Sequence, residues 1–185
     1  GPYRQDDSVF TGDHYNYNAQ KWYYDLNKFF DILEKKFSTK VIVIPHPKVK
    51  GLANPFFGPK SKRTVDHSLN AAQKIIPNSK FMISHSSITT AISYAIASYT
   101  PILFAYNDQN INDFKKMQDF REVSNFTGSQ LKNISNFKTN SLKNLIVDKK
   151  KYDIYKYRYL TSKTVQYNSN HEIIGNLINN YYKKN

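Results

Sequence analysis

Three short apolar runs constrain this chain more than any other feature: Val41-Ile42-Val43-Ile44, Phe81-Met82-Ile83 and Pro101-Ile102-Leu103-Phe104-Ala105. Each is continuous rather than alternating. That pattern belongs to strands covered on both faces, as in a parallel sheet. Helical patterning lies before and between them. From Gln20, the residues Trp22, Tyr23, Leu26, Phe29, Phe30, Leu33 and Phe37 recur at steps of three and four, and Ser38-Thr39 closes the pattern. A second helix is predicted within Thr64 to Ile76, ended by Pro77-Asn78. A third is predicted from Ser86 or Ser87, since serine is a good N-cap. Its Ala- and Ile-rich body, Ile88 to Tyr99, suits burial against a sheet. Strands alternating with helices in this order argue for an α/β layered sheet with right-handed crossovers.

The remaining elements are weaker. A short strand is expected around Ser8–Thr11 and a Gly- and Pro-rich loop over 48–62. A helix is expected over 110–120, a fourth strand over Leu131–Phe137 and a short helix over Ser141–Val147. Tyr152–Leu160 and His171–Tyr182 should be helical, the latter with Ile173, Ile174, Leu177 and Ile178 on one face. A chain of 185 residues builds one core and little more. Residues 20–185 therefore read as one domain and 1–19 as an N-terminal extension. The Gly1-Pro2 start, without Met, resembles a protease scar, so the chain is expected to be a fragment. No secretory signal pattern opens it. No run of 18 apolar residues occurs, and there is no Cys for disulfides or thiolate metal sites.

Lys and Arg total 27 against 14 acidic residues, a net charge of +13. Arginine, the residue of bidentate base and phosphate contacts, stands only at positions 4, 63, 121 and 158. Nucleic acid is therefore not the expected partner. The charge suits a protein that handles anionic ligands or works beside an anionic membrane face. Lys149-Lys150-Lys151, with Lys156 and Arg158, is the segment that could touch a membrane, although such a run is more often a solvated helix face.

Two loops carry candidate chemistry. Pro45-His46-Pro47-Lys48 follows the first strand directly. Ligands of open α/β sheets bind outside the carboxyl ends of strands. There His46 can bond a phosphate or ribose hydroxyl, and Lys48 adds charge. Ser84-His85-Ser86-Ser87-Ile88-Thr89-Thr90 follows the second strand and opens a helix, whose free N–H groups and dipole favour an anion. The plainer readings are a His packed in a Pro-bounded turn and a Ser that only caps a helix. Other templates fail. Neither the P-loop nor the G-x-G-x-x-G fingerprint is present. The histidines at 14, 46, 67, 85 and 171 have no metal-ligand spacing. A triad of Ser86 or Ser87, a His and Asp108 lacks the nucleophile elbow. Asp25, Asp31 and Glu34 are expected on the solvated face of the first helix.

Together these segments resemble the nucleotide-sugar-binding, C-terminal half of a bacterial GT-B glycosyltransferase of surface-polysaccharide synthesis. The likeness runs through Tyr23 to Glu34 into Val41–Ile44 and His46-Pro47, through Asn54-Pro55-Phe56-Phe57-Gly58, and through Ile83 to Ala95 into Thr100-Pro101-Ile102-Leu103-Phe104. It ends with Tyr152–Tyr159 and the terminal helix. The His-Pro and Ser-Ser pairs are similar to those of sialyltransferases and Kdo transferases. The resemblance implies a Rossmann-like three-layer domain with a mainly parallel sheet. It implies a nucleotide-sugar donor, CMP-linked in those families, with no further cofactor and no metal. His46, Pro47, Lys48, His85, Ser86, Ser87, Thr89 and Thr90 would then line the donor site. The catalytic base would come from a missing N-terminal domain. The acceptor would be a glycan or glycolipid at the cytoplasmic face of the membrane. UDP and GDP donors stay open. So do a non-catalytic α/β binding module and a sugar-nucleotide epimerase of the same architecture.

Overall fold

The computed structural model describes residues 18–45 and 63–184. The expected strand at Ser8–Thr11, the loop segment Asn54–Gly58 and the motif residues His46, Pro47 and Lys48 lie outside them. The first helix, α1, spans Ala19–Phe37. Its N-cap is Asn18, whose side-chain oxygen accepts the Lys21 N–H at 2.9 Å. Lys35 and Lys36 oppose the dipole at its other end. It stops at Ser38, which is held in the left-handed region at φ 48°.

Strand β1, Ile42–Val43, pairs in parallel with β2, Thr64–Val65. Ile42 is 44% exposed, so the first apolar run is not covered on both faces as expected. Strand β2 was hidden inside a predicted helix. That helix, α2, is only Ala71–Ile75, and a 3-10 turn over Ile76–Asn78 follows it. Asn70 at φ 62° blocks its extension backward, and Pro77 sits in the turn.

The larger sheet holds β3 (Met82–Ser84), β4 (Ile102–Tyr106) and β5 (Gln130–Asn133), parallel and adjacent in that order. Helix α3, Thr90–Ala97, joins the first two. A short α4, Asp108–Ile111, and a long α5, Phe114–Thr127, join the last two. The short helix expected over Ser141–Val147 does not form; only a 3-10 turn at Thr139–Ser141 is present, and residues 142–147 are not helical. Helix α6, Lys149–Tyr155, runs on as a π turn over Lys156–Leu160, and α7 covers Asn170–Lys184. The apolar face expected on α7 is present but open, with Ile174, Leu177 and Ile178 more than half exposed. No helix among the described residues is long and apolar enough to cross a membrane.

Strand β4 divides the core. Leu103 and Ala105 pack against Trp22, Leu26, Phe29 and Leu33 of α1. Ile102 and Phe104 pack on the opposite face with Ile92, Ala95 and Ile96 of α3, Met117 and Phe120 of α5, and Tyr152 of α6. The sheet grows in one direction from β3 to β5, so right-handed crossovers place α3 and α5 on one face. Burying each large aliphatic or aromatic side chain here contributes about 1.5–3 kcal/mol. The Tyr152 hydroxyl donates to the Thr100 carbonyl at 3.1 Å, and burial pushes its pKa up to about 12.

Ser38 is exposed and left-handed at a helix end, the position that favours glycine. Ser38→Gly is expected to raise stability by about 0.5 kcal/mol in urea unfolding, because the strain relieved exceeds glycine's added chain entropy. A loss of stability would contradict that reading of the cap.

Candidate functional site

Because β3, β4 and β5 are parallel, their carboxyl ends open on one edge of the sheet. Three segments leave from it: Ser84–Thr89, Asn107–Asp108 and Ile134–Asn136. The N-terminal end of α1 lies over the same edge, since Asn18 bonds Gln109 just after the second segment and Asp25, paired with Lys21, accepts from Asn107 and Ser135.

The first segment is held by its own hydroxyls. Ser84 Oγ donates to the Ser86 carbonyl at 2.7 Å, and Ser86 Oγ donates to the Ile88 carbonyl at 2.9 Å. Helix α3 starts later than expected. Its N-cap is Thr89, whose hydroxyl accepts the Ala91 N–H at 3.4 Å. The reason is local: Ser86 bonds its own loop and cannot also cap a helix. Among the described residues Ser87 and Thr90 make no side-chain hydrogen bond, so their hydroxyls are available to a ligand. Thr90 is exposed at the first position of α3.

His85 projects from the same loop, its ring 5.9 Å from that of Trp22 and tilted 59° to it. The residue keeps solvent-exposed surface. Protein atoms crowd the imidazole nevertheless, and this desolvation, then the Lys116 charge, holds its pKa below the ordinary histidine value. A largely neutral imidazole near pH 7 donates one N–H and accepts at its other nitrogen.

The residue most at odds with the sequence reading is Asp25. It is 3% exposed, not on a solvated face. Its Oδ2 accepts from Lys21 Nζ at 2.8 Å, Ser135 Oγ at 2.9 Å and Asn107 Nδ2 at 3.4 Å. A buried carboxylate needs such donors to stay charged. Ser135 Oγ in turn accepts the Asp108 N–H at 3.0 Å, and Asn133 Nδ2 donates to Asp108 Oδ1 at 2.7 Å. Asn107 and Asn110 form a capping box that turns the chain sharply after β4. The Asp108 carboxylate therefore ties the segment after β4 to β5, the Ser86 hydroxyl serves its own loop, and among the described residues no Ser-His-Asp triad is assembled. Asp31 is exposed as expected, and with Glu34 it faces Arg63, at 2.5 Å and 3.8 Å.

The signal for Asp25 was available. It stands three residues after Trp22 and one before Leu26, within the buried stripe of α1. Asn107 carried a weaker one, an Asn-x-x-Asn step directly after an apolar strand. Among the described residues no three His, Asp or Glu side chains converge as metal ligands would. No protein-family model, curated protein or solved structure matches this chain.

The depressed His85 pKa fixes a sign. The unfolded chain binds more protons than the folded one, so the stability is intact above about pH 6.5 and is lost as pH falls below it. Melting temperature should drop more steeply from pH 7 to pH 5 in the wild type than in His85→Gln. Identical slopes would show that His85 titrates as it does in the unfolded chain.

Proposed function

We propose that this chain is the donor-binding part of a glycosyltransferase, taking a nucleotide sugar at the carboxyl edge of β3, β4 and β5. The observation that carries the reading is the gathering at that edge of a histidine, two available hydroxyls, a helix start and a rigid polar node. Ser87, Thr90 and the first N–H groups of α3 would receive phosphate oxygens. His85 would add a hydrogen bond and, as the phosphate draws a proton onto it, a charge. Leaving-group charge would thus fall on amides, hydroxyls and an imidazole. A CMP-linked donor follows from the Ser-Ser and His-Pro resemblance, and the finer architecture, a Rossmann-like three-layer half of a GT-B enzyme, belongs to the same proposal.

Exposed apolar residues support an adjoining domain. Leu69, Ile88, Ile111 and Phe114 are each at least half exposed, and all stand on segments leaving the carboxyl ends of strands. A GT-B enzyme closes a second domain over this edge, and that domain would bring the catalytic base. The acceptor, a cell-surface glycan or glycolipid, and a place at the cytoplasmic membrane face are parts of the same proposal. The Lys-rich start of α6 would contribute to membrane contact, although Lys151 Nζ is turned to the Asn125 carbonyl and Lys149 lies over the Tyr99 ring. One observation favours a non-catalytic module instead: Ser86 and Thr89 spend their hydroxyls on the loop and the cap.

Thermal shift with CMP, UDP, GDP and ADP tests the reading. A ligand at one hundred times its Kd stabilises by about 2.7 kcal/mol, several degrees in a chain of this size. One nucleotide should shift the chain selectively. Ser87→Ala with Thr90→Ala should weaken it at least tenfold without lowering the unliganded Tm, because neither hydroxyl holds the fold. No shift with any nucleotide, or an unaffected double variant, favours the non-catalytic module.

A further inference from the structure

The Asp25 node does more than brace the edge. On the β5 side it forms part of an open cleft of about 510 Å³, lined by Lys21, Tyr24, Asp25, Lys28, Ser135 and Asn136 among others. That volume falls within the roughly 300–1,000 Å³ range of ligand pockets. Trp22 turns toward His85 on the β3 loop, whereas Tyr24 and Lys28 face this cleft, so it is separate from the loop that carries Ser87 and Thr90.

The chemistry of the lining restricts the ligand. All three donors to Asp25 meet Oδ2. Among the described residues no donor meets Oδ1, which leaves one carboxylate oxygen of a side chain 97% buried at a cleft wall. A metal cation is disfavoured, because Lys21 already neutralises Asp25 at 2.8 Å and Lys28 adds a second positive charge. An anion would meet the carboxylate. A hydroxyl satisfies both: it donates to Oδ1 and accepts from Lys28 or the Asn136 amide. Tyr24, 59% exposed, adds an aromatic ring at the rim, with Lys28 Nζ 4.7 Å from its centroid. An aromatic ring beside a fixed acceptor suits a ligand with both C–H and O–H groups.

We infer that this cleft binds a neutral vicinal diol, through Asp25 Oδ1 as the acceptor and Tyr24 as the flanking surface. The diol belongs to a saccharide or to the ribose of a nucleotide. The site does not depend on a phosphate at Ser87 and Thr90.

Calorimetric titration of the whole 185-residue chain with lactose, CMP and 2′-deoxy-CMP separates the sources. If the diol is ribose, CMP binds and its 2′-deoxy form binds at least tenfold more weakly. If it is a saccharide, lactose binds. In either case Asp25→Asn and Tyr24→Ala each weaken that ligand at least tenfold. Tyr24 is exposed, so its variant keeps the test decisive should Asp25→Asn fail to fold. Absence of binding by both lactose and CMP, or affinities unchanged in the folded variants, overturns the inference. CMP weakened by Ser87→Ala with Thr90→Ala but untouched by Tyr24→Ala would overturn this site and leave the donor reading standing. Lactose lost in Tyr24→Ala, with no nucleotide bound, would do the reverse.

Discussion

Burial of β4 on both faces is the constraint on which the rest of this fold depends. Ile102, Leu103, Phe104 and Ala105 are each at most 2% exposed, and alternate side chains enter two separate cores. A strand with no solvent face must have helices on both sides and strands along both edges. Strands β3 and β5 occupy those edges, both parallel to it. The parallel direction in turn requires crossover helices, which α3 and α5 supply. One five-residue run thus dictates the connectivity of the described chain from 82 to 133.

The same constraint makes the edge useful. Parallel strands end together, so three loops that follow Ser84, Tyr106 and Asn133 open side by side. Such loops tend to be mobile unless tied. For two of them the tie is Asp25, reached by Asn107 after β4, by Ser135 after β5 and by Lys21 from its own helix, while the loop after β3 is held by its own serines. Gln109 and Asn18 exchange a further pair of bonds, at 2.7 Å and 3.1 Å. Removing the carboxylate would leave buried donors without an acceptor, which costs more than the bonds themselves contribute. The node therefore couples the rigidity of the edge to the first helix.

Much of this was legible in the sequence. The periodicity from Trp22 to Phe37 gave α1 nearly to the residue, because its buried stripe is wide and its end sharp. The three apolar runs marked β1, β3 and β4. What escaped was decided by tertiary or very local contacts. Thr64 and Val65 are too short a pair to signal a strand, and β2 exists only because β1 lies beside it. The start of α3 moved from Ser86 to Thr89 because Ser86 closes its own turn first. Ser141–Val147 has helical spacing, but its apolar residues are divided between two cores, Leu142 and Leu145 against α1 and Val147 on the opposite face of the sheet. The charge of Asp25 points to solvent, whereas its place in the helical stripe points to the core. The place of His85 and the Ser84–Thr90 loop at a strand's carboxyl end is legible in sequence, whereas the convergence of Asn107 and Ser135 on Asp25 required the register of β4 and β5.

The most direct measurement of the central claim, that ligands meet this protein at the carboxyl edge of its parallel sheet, is amide hydrogen exchange with and without a nucleotide that shifts its melting. The expected result is protection in peptides covering 83–91, 106–110 and 133–137, with residues 149–160 and 170–184 unchanged. Protection confined to the Lys-rich α6 or to α7 would contradict the claim and place binding on the charged surface instead.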